Sequence, residues 1–106
     1  MSGDFEEKKQ KLLGYRVFGT KMDRLHEMGL MFPKEKKSYE EKANNCRELM
    51  KSIEKAITAV DDGILSEILF QKYVLGRSLE TISCAVNYSK RQIERLHLTA
   101  LEKIKI

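Results

Sequence analysis

The chain has no Trp, a single Pro, six Gly and two Cys in 106 residues. So few turn formers argue against an all-β protein, in which strand ends are marked by Gly, Pro and Asn at short intervals. Cys46 and Cys84 fall on different expected helices, with no CxxC or Cys/His spacing around either. That argues against a zinc site or a disulfide and favours small apolar side chains, expected to be buried in a reducing compartment. No run approaches the roughly 20 apolar residues that span a bilayer. The opening MSGDFEEKKQKLLGYR holds no apolar stretch of signal-peptide length, so a cytoplasmic location is expected. A Gly-rich phosphate loop, a nucleophile motif and a His/Asp/Glu cluster at metal spacing are all missing. Neither an enzyme nor a cofactor or metal protein is expected.

What is present is 42% apolar and 34% charged residues, enough of each for a folded domain and too apolar for a disordered tail. The net charge is +4, unevenly spread. Residues 1–62 carry 13 Lys/Arg against 12 Asp/Glu, whereas residues 63–106 carry 7 against 4. The cationic excess sits in the last third, as a surface facing nucleic acid requires.

Hydrophobic spacing predicts an all-α protein. A first helix is expected from Asp4, as N-cap, to Met28, with Tyr15, Phe18, Met22 and Leu25 in a stripe extended by Leu12 and Phe5. Gly29 and Pro33 are expected to end it. A second helix opens at Ser38, with Glu41 completing a capping box. Its Tyr39, Ala43, Cys46, Met50, Ile53, Ile57 and Val60 recur at alternating spacings of four and three, with Leu49 and Ala56 widening the stripe. Two such helices, each about 36 Å long at 1.5 Å per residue, would pair antiparallel over residues 1–61. Such a hairpin serves plain packing, or part of its seam is a homodimer interface. Residues 62–106 then form three helices: one from about Ile64 to Leu75 started by Asp61 and Asp62, one over Leu79–Val86 capped by Ser78, and one from Ser89 to about Ile104 with a Ser89/Gln92 capping box.

The last two read as a helix-turn-helix. Leu79, Ile82 and Val86 give one apolar face, and Ile93, Leu96, Ala100 and Ile104 the other, with small Ser83 at the crossing. Asn87 suits a left-handed turn residue, and Tyr88 is expected to pack beneath that turn. His97 reads as a partly buried packing residue and His26 as a solvated one. The outward positions at the front of the final helix are Lys90, Arg91, Glu94 and Arg95. Arg91 and Arg95 are the leading base readers, because guanidinium pairs bidentately with guanine. Glu94 can accept from cytosine N4 or serve as a surface ion-pairing residue. Arg77, Ser78, Ser89 and Gln92, together with Lys90, suit phosphate contacts near helix N-termini.

The run LFQKYVLGRSLETISCAV followed by SKRQIERLHLTALEKIK resembles region 4 of bacterial sigma factors. With the helical half that precedes it, the chain is more similar to small phage and prophage regulators of the RinA and ArpU type. Tyr88-Ser89-Lys90-Arg91, Arg95-Leu96-His97 and Ala100-Leu101 match a run found in them. The resemblance covers about forty residues and implies a three-helix module binding double-stranded DNA to regulate transcription in a bacterial host cell. It departs at Glu94, where those proteins usually carry a base. One small module reads only a few base pairs, and non-specific binding alone lies around 10⁻⁴–10⁻⁶ M. A second half-site through dimerisation, or a partner such as RNA polymerase, is therefore expected. The alternatives are a helical adaptor that touches RNA polymerase or another protein without reading DNA, and a DNA-packaging protein of small-terminase type.

Overall fold

The computed structural model describes residues 2–106, with side chains from Phe5 onward. The described residues are mostly helical, with no strand among them. Helix α1 (Ser2–Met31) is followed by a 3₁₀ turn at Pro33–Glu35 and by α2 (Lys36–Thr58). Helix α3 (Gly63–Leu69) runs into a π-helical turn at Phe70–Val74, after which come α4 (Leu79–Val86) and α5 (Lys90–Lys103).

Helices α1 and α2 lie antiparallel. The Tyr15 hydroxyl donates to Glu54 Oε2 at 2.7 Å, a Cβ at Gly19 would stand 3.4 Å from the Met50 methyl, and Gly29 faces Lys36 and Tyr39. Partners thus move toward each other along the two helices as the turn is approached. The seam of α2 is buried as its spacing predicts: Ala43, Cys46, Ile53, Ile57 and Val60 are covered, and Tyr39 and Met50 half-buried.

The first helix runs past its expected end at Met28. Gly29 stays helical and buried between the two helices of the hairpin, and the Phe32 N–H still bonds the Met28 carbonyl at 2.9 Å. Pro33 ends the helix, since its ring bars the preceding residue from helical geometry. The expected Ser38/Glu41 capping box is not formed. The 3₁₀ turn leads straight into α2 at Lys36, which places Ser38 inside the first turn, with no side-chain cap at the helix start. Leu49, expected to widen the buried stripe, is 49% exposed, and Cys84 is exposed rather than buried. Helix α1 also begins at Ser2, two residues before the Asp4 expected to cap it, so Asp4 lies inside its first turn.

One core joins the hairpin to the C-terminal helices. Leu12, Ile53, Ile57 and Val60 pack with Leu65, Leu69, Tyr73, Ala100, Leu101 and Ile104. The division at residues 61/62 therefore marks a change of course in the chain and not a gap in its packing. Lys8 closes the join from outside, its ammonium donating to the Leu101 and Glu102 carbonyls at 3.0 and 3.1 Å. Those carbonyls belong to the last turn of α5, where intrahelical partners run out.

The helix expected over Ile64–Leu75 is not regular. Its last turn widens, the Leu75 N–H reaching the Phe70 carbonyl five residues back at 3.1 Å. Both Gln71 and Tyr73 are buried from that turn, which a regular helix would not allow on one narrow stripe. The Tyr73 hydroxyl meets His97 Nε2 at 2.6 Å, with both side chains under cover. His97 is thus a buried packing residue with a hydrogen bond, as a satisfied interior polar group should be. Burial, and then the Lys72 and Lys9 ammoniums, push the His97 imidazole down to about 4.

In the unfolded chain His97 takes a proton below its ordinary value near 6.5, while in the folded protein it stays neutral until about pH 4. The contribution is whole above pH 6.5 and is lost as pH falls toward 4. Denaturation by urea at pH 7 and pH 4.5 should show wild type losing roughly 2 kcal/mol more than His97→Gln, which has no imidazole to titrate. Equal losses in the two proteins would rule out this role for His97.

Candidate nucleic-acid interface

Local capping chemistry sets where each of the last three helices begins. The Asp62 carboxylate accepts from the N–H groups of Ile64 and Leu65 at 3.1 and 3.4 Å and starts α3. After the widened turn, Gly76 adopts φ +74° and the Arg77 N–H returns to the Gln71 carbonyl at 3.0 Å. Ser78 then caps α4 by accepting the Thr81 N–H at 3.2 Å. Helix α4 stops at Asn87, which takes the left-handed conformation at φ 64°, ψ 35°, with the Tyr88 N–H bonding back to the Ser83 carbonyl at 3.2 Å. Asn adopts this region more readily than other residues with a Cβ.

At Ser89 the capping box is complete. The Ser89 hydroxyl accepts the Gln92 N–H at 3.2 Å, and Gln92 Oε1 accepts the Ser89 N–H at 3.0 Å. Two otherwise orphaned donors are thereby satisfied at the tip of α5. This leaves the Gln92 amide nitrogen as the free end of that side chain.

Helices α4 and α5 are held together by Ile68, Ile82 and Ile93, none exposed at all, with Ile64, Leu79, Val86 and Leu96 around them. Because Ile93 is pinned inward, its neighbours on the opposite side of α5 must face out. Lys90, Arg91, Gln92, Glu94 and Arg95 are all exposed, as are Arg77, Ser78 and Ser89. Arg91 and Arg95 are four residues apart and so stand one above the other on a single face. Neither side chain is ion-paired with a described residue. Lys90 differs: its ammonium sits 2.9 Å from Glu80 Oε1 on α4. Their hydrogen bond and opposite charge raise the lysine's pKa and lower the carboxylate's. Glu94 acts on Lys90 only through its charge and forms no ion pair within contact distance among the described residues.

One expectation fails here. Tyr88 is 39% exposed instead of packing beneath the turn, because the left-handed Asn87 turns the chain outward and Tyr88 is anchored through its backbone N–H. Ser83 directs its hydroxyl into its own helix, donating to the Glu80 carbonyl at 2.7 Å. Two contributors escape a reading of the local sequence. Buried Gln71 holds Arg77 twice, through its backbone carbonyl and through Oε1, which accepts from the guanidinium at 3.2 Å, while its own amide donates to Glu67 at 2.8 Å. Arg16, sixty residues earlier on α1, lies across Gly76 so closely that a Cβ there would collide with its guanidinium. No local sequence signal marks Arg16, an exposed residue of α1.

Comparison with known proteins finds no matching family model, no matching curated protein and no matching solved structure.

The turn at Asn87 sets the crossing of α4 and α5. Asn87→Ala should lose about 1 kcal/mol of stability, the order of the left-handed penalty for a residue with a Cβ, whereas Asn87→Gly should match or exceed wild type. Urea titrations of the three proteins decide this, and equal midpoints for Ala and Gly would refute it.

Proposed function

We propose that the chain is a sequence-specific DNA-binding protein, a transcriptional regulator of phage or prophage type, in which α4, the turn and α5 act as a helix-turn-helix. In this reading α5 lies in the major groove and α4 crosses the backbone beside it. The observation that carries it is the pair Arg91 and Arg95: exposed, without ion-pair partners among the described residues, and stacked on one face at the front of a helix whose opposite face is locked by Ile93. A side chain so held out from a rigid element can reach base edges at low cost in ordering.

Roles follow from what each group already touches. Arg91 and Arg95 read bases, with Glu94 facing cytosine or the Lys90 charge. Lys90 is drawn toward Glu80 and is available to a base or phosphate once that exposed pair exchanges partners. Arg77, Ser78, Ser89 and the free amide of Gln92 line the edges where phosphates would run. The hairpin supplies the second contact that specificity demands, through another copy of the chain or through RNA polymerase. An adaptor reading, with a protein as the sole partner, is favoured by one feature: Leu30, Met31 and Phe32 at the far end of the hairpin are 75, 68 and 47% exposed.

Selection of bound sequences from a random duplex pool at two salt concentrations tests the proposal. Wild type should enrich a short motif and bind more weakly at the higher salt. Arg91→Ala with Arg95→Ala should lower affinity for that motif by tenfold or more and flatten the sequence preference, at about 1–3 kcal/mol for each lost bidentate contact. Helicity by circular dichroism should be unchanged. A double variant that selects the same motif with the same affinity would remove these residues from the interface.

A further inference from the structure

Four cations from two distant segments line one flank of the molecule. Lys9 and Arg16 are seven residues apart on α1, two turns along the same face and about 10 Å from each other. Opposite them run the widened turn and the Gly76 bend. Lys72 stands with its ammonium 5.7 Å from the Tyr73 ring centroid, close enough to Lys9 that the two charges oppose each other. Arg16 lies over Gly76, next to Arg77. None of the four forms an ion pair with a described residue. Glu6 and Glu67, carboxylates on the neighbouring turns, accept instead from the amides of Gln10 and Gln71.

Like charges gathered without direct ion pairs repel one another, and an anion relieves that repulsion. The position of the ridge selects which anion. From Arg16 the contacts pass to Gly76, then Arg77 and the Ser78 cap of α4, and from Glu80 on that same first turn of α4 to Lys90 at the front of α5. The ridge is therefore continuous with the surface proposed to meet DNA, on the side where α4 would cross the backbone.

We infer that Arg16 and Arg77, with Lys9 and Lys72, grip the phosphate backbone of the duplex alongside the groove that α5 enters. This rests on the DNA-binding reading and adds to it that the N-terminal helix touches nucleic acid. Such contacts carry affinity and register but no sequence information.

The test is the salt dependence of duplex binding by the full chain, measured from about 0.05 to 0.2 M salt on the selected motif and on an unrelated duplex. Each phosphate neutralised contributes about 0.9 to the slope of log K against log salt. Arg16→Gln should reduce that slope by about one and weaken both duplexes by the same factor, roughly fivefold to tenfold near 0.1 M salt. Arg16→Lys should keep the slope, and Arg77→Gln should reduce it as Arg16→Gln does. A role confined to packing over Gly76 would shift the urea midpoint and leave the slope alone. If wild type binds with a salt-dependent slope that Arg16→Gln and Arg77→Gln both retain, the ridge is refuted and the groove reading stands. If wild type binds neither duplex, both fall together.

Discussion

The 44 residues after Asp62 include three short helical stretches, and so small a unit rarely closes a hydrophobic core by itself. Its missing wall comes from the hairpin. Leu12 enters from α1, Ile53 and Ile57 from α2 and Val60 from just past its end, against Leu65, Leu69, Tyr73 and the end of α5. Fixing α5 at its rear by this packing and by Lys8 on its last carbonyls leaves the side chains at its front exposed. Everything proposed for Arg91 and Arg95 depends on that division of one helix into a held end and an offered end.

Inside this frame the polar groups are arranged economically. Gln71 bridges Glu67 and Arg77, and Tyr73 meets His97, so no buried side-chain nitrogen or oxygen among the described residues lacks a partner. Each pairing also fixes a backbone irregularity in place. The π turn brings Tyr73 to His97, and the Gly76 bend brings Arg77 to Gln71. A buried hydrogen bond left half-made would cost about 1–3 kcal/mol, which ties these bends to the identities of the residues they serve.

How much of this was legible in the sequence depends on how far each signal reaches along the chain. Ser78, Ser89 with Gln92, Asp62 and Asn87 were legible because capping and turn chemistry act over three or four residues. The α2 seam was legible because its spacing repeats over several turns. Ser38 misled because the same local chemistry was pre-empted by Pro33, which began helical structure earlier. Gly29 misled because its intrinsic cost is offset by contact with α2, a partner that local propensity does not include. The widened turn has no Gly or Pro to announce it; Tyr73 and His97, twenty-four residues apart, define it together. The candidate base-reading face was visible from helical phase alone. Arg16 was not, since only the tertiary fold sets it over Gly76.

The hairpin outlasts the core it helps to build. Beyond about Gly19 and Met50, α1 and α2 have only each other, and Ala43 and Cys46 are buried outside the main cluster in a molecule 52 Å long and 22 Å in its thinnest direction. Local opening is cheapest where few layers are packed. The far half of the hairpin, ending in exposed Leu30, Met31 and Phe32, is accordingly where local opening is expected to cost least.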